Sequence, residues 1–166
     1  MNTGLFYASS TGNTEDVAKR IVTSLGEDIK SYDIADSGYD AIKEYNKIIL
    51  GVSTWGEGEL QDDWEEIWTD FCDINFNGKT VALFGLGDQE GYGDEFVDAL
   101  GIMYEQVQIS GGNVVGFTSS EGYEHDSSKA EIDGQFVGLV VDEDNQDDLT
   151  DERIQEWTDN IKTSIL

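Results

Sequence analysis

Gly4-Leu5-Phe6-Tyr7-Ala8-Ser9-Ser10-Thr11-Gly12-Asn13-Thr14 carries a short apolar strand straight into a hydroxyl-rich turn, and an amphipathic helical pattern begins immediately after it. A turn at a helix N-terminus offers free N–H groups and the positive end of the helix dipole, which together make an anion site. Ser9, Ser10, Thr11, Asn13 and Thr14 add side-chain donors, and Gly12 lets the backbone close around a bound group. No lysine stands in this loop, so it is not the phosphate loop of a nucleotide hydrolase, which ends in Gly-Lys-Ser/Thr. The stretch predicts a cradle that holds a phosphate without a positive side chain beside it.

Outward from this unit, apolar runs alternate with helix-period segments to the end of the chain. Val17, Ala18, Ile21, Val22 and Leu25 form one helical face that stops at Gly26. Ile29–Ile34 alternates in polarity as an edge strand would, Ala41–Tyr45 suggests a short helix, and Lys47–Val52 reads as a buried strand. Asp62–Ile74 is helical through Trp64, Trp68 and Phe71, Thr80–Leu86 is another buried strand, and Glu95–Ser110 is helical again. Asn113–Phe117 begins a fifth strand, the polar segment Thr118–Gln135 breaks it, and apolar character returns at Phe136–Val141. Thr150 is expected to cap a last helix with Ile154, Trp157, Ile161 and Ile165 on its inner face. The alternation predicts an α/β fold in a single domain, 1–166. Its doubly wound parallel sheet has five strands in the order 2-1-3-4-5, with an insertion interrupting strand five. In that order the ligand crevice lies at the carboxyl ends of strands one and three.

Two further loops converge on that crevice. Ser53-Thr54-Trp55-Gly56-Glu57-Gly58-Glu59-Leu60 follows strand three and sets a tryptophan off any helical or strand period. Gly87-Asp88-Gln89-Glu90-Gly91-Tyr92-Gly93-Asp94 follows strand four and sets Tyr92 between glycines. A hydroxyl-rich turn is also an ordinary helix cap, and a loop aromatic is also a partner contact. The three loops together, at one end of the sheet, describe a site for a phosphorylated planar ring.

Bulk composition narrows the partners. Thirty-six acids against nine lysines and arginines give 166 residues a formal charge of −27, spread along the chain. Such a surface repels nucleic acid and anionic lipid, and attracts a basic protein with an on-rate that falls as salt rises. The same acidity also suits plain solubility or a saline cytoplasm. A single cysteine, Cys72, excludes an internal disulfide and multi-cysteine metal sites. The N-terminus has no basic region before its short apolar run, and no window approaches a membrane span, so a soluble cytoplasmic protein is expected. Neither a catalytic group nor a metal site is nominated. His125 reads as a solvated residue of the polar insertion, Cys72 as packing, and Trp64, Trp68 and Phe71 as core.

Over its whole length the chain resembles the flavodoxins. Ser9–Thr14 is similar to the family's Thr/Ser-x-Thr-Gly-x-Thr signature, Thr54-Trp55 through Gly58-Glu59-Leu60-Gln61-Asp62-Asp63-Trp64 to its second flavin loop, and Phe84-Gly85 through Gly87-Asp88-Gln89 and Tyr92 to its third. Asp142–Gln146 and Leu149–Arg153 continue the match, and the break in strand five resembles the insertion of the long-chain subfamily. The resemblance implies non-covalently bound flavin mononucleotide (FMN), with Ser9, Ser10, Thr11, Gly12, Asn13 and Thr14 around its phosphate. Trp55 and Tyr92 would sandwich the isoalloxazine, and Asp88 with its neighbours would meet the pyrimidine edge. Thr54, Gly56, Glu57, Gly58, Gly87, Gln89 and Asp94 complete the implied cofactor-binding set. Gly56-Glu57 departs from the bulkier pair common in long-chain members, at the peptide expected to turn its carbonyl toward flavin N5.

The function so implied is a low-potential one-electron carrier cycling between semiquinone and hydroquinone. Gly56 can take a positive φ at little cost, and Glu57, Glu59, Asp88 and Glu90 would oppose a full negative charge on the ring. Transient complexes of a monomer with a basic flavoprotein reductase or a low-potential oxidoreductase are expected. The alternative is an FMN-dependent quinone reductase. A response regulator is excluded because Ala8-Ser9 and Ser53-Thr54 stand where its acids belong, and a low-molecular-weight tyrosine phosphatase because the first loop lacks cysteine.

Overall fold

Strands with apolar residues on both faces must be covered on both faces, and in this chain helices do the covering. The computed structural model describes residues 3–26, 29–55 and 58–166, so the expectations for Gly56 and Glu57 lie outside the described residues. In order the elements are β1 (Thr3–Tyr7), α1 (Asn13–Leu25), β2 (Ile29–Asp33), α2 (Ile34–Ser37), a 3-10 turn over Asp40–Glu44, β3 (Lys47–Trp55), β4 (Glu59–Leu60), α3 (Asp62–Cys72) and β5 (Thr80–Leu86). There follow α4 (Asp98–Ile109), β6 (Asn113–Val115), β7 (Thr118–Ser119), β8 (Glu131–Ile132), β9 (Gln135–Phe136), β10 (Leu139–Val141), a 3-10 turn over Asp147–Leu149 and α5 (Thr150–Ile165).

The main sheet is parallel in the order β2-β1-β3-β5 and then a split fifth position. β6 pairs with Thr80–Ala82 and β10 with Phe84–Leu86, so one edge place is filled by two strands separated by 23 residues, 116–138. This is the expected order with the expected interruption. Successive strand residues alternate between the two layers. Phe6, Ile48, Leu50, Val81 and Leu83 pack with Trp64 and Phe71 of α3 and Leu100 and Met103 of α4. Leu5, Ile49, Ala82 and Phe84 pack with Val17 and Ile21 of α1 and Trp157 and Ile161 of α5.

Several local expectations are corrected. β3 does not end at Val52 but runs on to Trp55, because Thr54 and Trp55 pair antiparallel with Leu60 and Glu59 in a hairpin. β2 stops at Asp33, whose carboxylate accepts the Ala35 N–H (3.0 Å) and opens the short α2. The short helix at Ala41–Tyr45 is a 3-10 turn, and α4 starts at Asp98 rather than Glu95. Thr150 does not cap α5: it is the first helical residue, fully buried, and Leu149 takes the cap position with no side-chain hydrogen bond. Phe136 belongs to the insertion, in a small antiparallel sheet β7-β9-β8.

The insertion has a core of its own, and His125 is in it. That side chain is only 7% exposed, its Nε2 lies 2.6 Å from a Glu131 carboxylate oxygen, and its ring packs on Phe96 and Phe136 at 5.2 and 5.3 Å. The polar look of residues 118–135 concealed this, because the apolar partners of His125 lie on β9 and just before α4.

Candidate functional site

At the carboxyl end of β1 the chain leaves a fully buried strand and turns at Gly12 (φ 94°), a left-handed backbone that favours glycine. The Gly12 N–H donates to Ser9 Oγ (2.9 Å), which folds the loop back on itself. No side chain caps α1, so the N–H groups of Asn13, Thr14 and Glu15 have neither intrahelical nor capping acceptors, and the first helical bond is from the Asp16 N–H to the Gly12 carbonyl. Thr14 is buried in that first turn.

The second loop is held by three contacts. Thr54 Oγ1 accepts the Ala99 N–H (3.0 Å), which ties β3 to the start of α4, and the Trp55 indole N–H donates to Ser53 Oγ (2.8 Å). Gln61, almost fully buried, donates from Nε2 to Ser10 Oγ (2.9 Å) while its Oε1 accepts the Asp63 and Trp64 N–H groups at the start of α3. Gly58 is required by both its φ of 88° and its surroundings, since a Cβ there would lie 2.7 Å from Asp98 Oδ2.

The third loop closes around carboxylates. Asp88 Oδ1 accepts the N–H groups of Gly91 (2.7 Å) and Glu90 (3.1 Å) and the Asn145 side-chain amide (2.7 Å). The Gly91 N–H is the main reason its carboxyl lies below the usual aspartate range; burial works against this, and the amide of Asn145 with the Glu90 N–H adds to it. Behind the loop, Asp142 is fully buried at the end of β10 and accepts hydrogen bonds from five donor nitrogens. These come from Gln89 N (3.0 Å) and Nε2 (2.7 Å), Asp144 N (3.1 Å), Asn145 N (3.0 Å) and the Asn145 amide (2.9 Å to Oδ2). Gln89 Oε1 in turn accepts the Glu124 N–H, so the insertion is fastened to the same hub.

These loops enclose one pocket of about 270 Å³. It is lined by Ser10, Thr11, Asn13 and Thr14 of the first loop, Thr54 and Trp55 of the second, and Gly87, Asp88 and Tyr92 of the third. Trp55 is 42% exposed and Tyr92 53%, a degree of exposure few large aromatics of the chain share. Ser9, Gly12, Gly58, Gln89 and Asp94 are not on the wall: Ser9 Oγ accepts from Gly12 within its own loop, Gln89 spends its side chain inside the fold, and the Asp94 carbonyl accepts from Ser127 Oγ (2.6 Å).

Other wall residues escaped the sequence reading. Leu86, Phe96 and Val97 form an apolar side, and Glu95, Glu143 and Asp144 bring charge. Val97 is β-branched at φ 47°, a left-handed conformation that costs about 1–2 kcal/mol. Glu143 and Asp144 follow β10, so the rule that ligands sit at strand ends, applied to the last strand as to the others, would have found them. Burial raises the carboxyls of both; Asp88 and Asp142 push Asp144 further, whereas Arg20 acts against the rise at Glu143. Glu59 and Glu90, expected near the ring, are exposed and off the wall. The wall therefore carries four carboxylates, Asp88, Glu95, Glu143 and Asp144, and among the described residues it carries no lysine or arginine.

The family model described as flavodoxin matches residues 5–157. The chain is a member of the flavodoxin family. It is 47% identical over 164 residues to a flavodoxin of Picosynechococcus sp., covering 98% of this chain and 96% of that one. It is 48% identical over 164 residues to flavodoxin 2 of Escherichia coli, covering 97% and 95%. Among solved structures, a Fusobacterium nucleatum flavodoxin bound to flavin mononucleotide superposes with a TM-score of 0.92 at 34% identity, covering 99% of each chain. A variant of that flavodoxin, also bound to flavin mononucleotide, gives 0.95 at 35% identity, covering 99% of this chain and 97% of that one. Flavodoxins are electron-transfer proteins.

Truncating the buried hub is expected to be costly. Asp142→Ala leaves several buried N–H donors without an acceptor and should lower unfolding free energy by about 2–4 kcal/mol in urea titrations. Asp142→Asn, which keeps a carbonyl acceptor, should lose less; a loss under about 1 kcal/mol in the alanine variant contradicts the role given to this carboxylate.

Proposed function

We propose that this chain binds flavin mononucleotide non-covalently in the pocket and acts as a low-potential one-electron carrier of the long-chain type. The observation that carries the reading is the conjunction of two half-exposed aromatics, Trp55 and Tyr92, with an uncapped, hydroxyl-lined helix N-terminus in one pocket. The residues present fit the cofactor: the first turn of α1 with Ser10, Thr11, Asn13 and Thr14 suits a phosphate dianion without a cation, and the aromatics suit a flat ring. When bound, FMN supplies a redox centre that takes up one electron at a time.

The chain's own residues then set how far reduction goes. Trp55 and Tyr92 would hold a flat ring and keep water from it, and Leu86, Phe96 and Val97 add apolar surface to the same pocket. Each wall carboxylate opposes added negative charge by about 1–2 kcal/mol at 8–15 Å and an effective dielectric near 20, less where solvent screens it. Asp88, Glu95, Glu143 and Asp144 together would oppose negative charge added in the pocket, and so would disfavour full reduction of a bound flavin. This replaces Glu59 and Glu90 in the charge argument. The net charge of −27 supports transient docking of a monomer to basic redox proteins, such as a flavoprotein reductase or a low-potential oxidoreductase. Among the described residues no helix is long and apolar enough to cross a membrane, and a cytoplasmic carrier is the setting proposed.

Two outcomes check the proposal. Titration of apoprotein into FMN, followed by quenching of flavin fluorescence, should give 1:1 binding, weakened about 5- to 150-fold by Trp55→Ala or Tyr92→Ala. Binding unaffected by both substitutions would remove the aromatic pair from the site. Reduction of the loaded protein by a basic nicotinamide-dependent flavoprotein reductase should slow as salt rises. Fast turnover with nicotinamide alone would instead favour a quinone reductase.

A further inference from the structure

Arg20 lies on α1, two turns beyond the first loop, and touches three carboxylates from three elements. Its guanidinium is 2.6 Å from Asp16 on the same helix, 3.3 Å from Asp151 on α5 and 3.6 Å from Glu143, which follows β10. Asp16 and Asp151 are exposed partners, 54% and 89%, and such pairs are worth little. Glu143 is different. Its side chain is only 15% exposed, it lines the pocket, and its Oε1 is shielded from solvent without any hydrogen bond. A carboxylate so placed keeps its charge only with help from a nearby cation. Among the described residues, Arg20 is the one cation in an ion pair with a carboxylate of the pocket wall.

We infer that Arg20 is a positioning residue for the flavin site: by pairing with Glu143 behind the wall it limits the negative potential that the pocket presents to a bound flavin. The inference rests on the function proposed above and adds to it an upper bound on the site's acidity. The four wall carboxylates push reduction potential down, and Arg20 holds one of them in check from outside the pocket. Around Glu143 the acting groups are Arg20 against Asp16 and Asp147, with Thr150 of α5 nearby. Removing Arg20 leaves two like charges facing a half-buried carboxylate, so its proton affinity rises, and at neutral pH any remaining charge goes unopposed.

The test is a double-mutant cycle over Arg20→Met and Glu143→Gln, with Arg20→Lys as the conservative variant. In FMN-loaded protein, Arg20→Met should disfavour the last reduction step about 3- to 10-fold. At about 59 mV per tenfold change for one electron, that lowers the second potential by about 30–60 mV. The shift should shrink with salt, be opposite in sign to that of Glu143→Gln, cancel in the double variant and be largely absent in Arg20→Lys. In apoprotein, the Glu143 carboxyl, followed by NMR, should titrate at higher pH in Arg20→Met than in the unaltered chain. A purely structural role would lower stability without moving either readout. An unmoved second potential in Arg20→Met, or a shift of the same sign in Glu143→Gln, overturns the inference. If the chain fails to load flavin, the proposed function falls while the apoprotein titration still decides whether Arg20 governs Glu143.

Discussion

A carboxylate buried without a cation, Asp142, is the constraint on which the site depends. Five donor nitrogens of Gln89, Asp144 and Asn145 stand in for a counter-charge. Through Gln89 the hub grips the third loop and the insertion, and through Asn145 it grips Asp88 and the loop after β10. Gln61 does the same work on the other side, linking the first loop to the second. The pocket is thus walled by loops that are short of regular structure yet cross-braced by buried amides. Rigid loops matter for a carrier, because a site that holds its shape loses little to reorganisation when charge arrives.

That bracing also explains which features could be seen in the linear sequence. The buried strands were legible because Lys47–Val52 and Thr80–Leu86 are apolar on both faces, which only a covered parallel sheet tolerates. The interruption of strand five was legible as a polar gap between two apolar runs. The hairpin at Trp55 was not, since two residue pairs of β-structure leave no periodic trace, and the glycines around it look like an open loop. His125 looked solvated for the same reason: its partners Phe96 and Phe136 are distant in sequence, and its Nε2 is paired with Glu131 within the insertion.

In the site, the aromatic and hydroxyl residues were legible and the electrostatics were misassigned. Trp55, Tyr92 and the turn at Gly12 carry chemistry in their residue types, so they could be read directly. The acids could not, because 36 of them are spread along the chain and residue type says nothing about which four face inward. Only the fold separates Glu143 and Asp144, which line the pocket, from Glu59 and Glu90, which do not. Backbone strain at Val97 was likewise invisible, since nothing in a valine announces a left-handed φ.

The central claim is that an acidic, aromatic-walled pocket separates the two electrons of a bound flavin and makes the second one hard to add. Anaerobic potentiometric titration of the FMN-loaded protein, with its absorption spectrum recorded at each step, tests that claim most directly. Two resolved one-electron steps, the second well below that of flavin free in solution, are expected. A single two-electron step, or a second potential equal to that of free flavin, would contradict it.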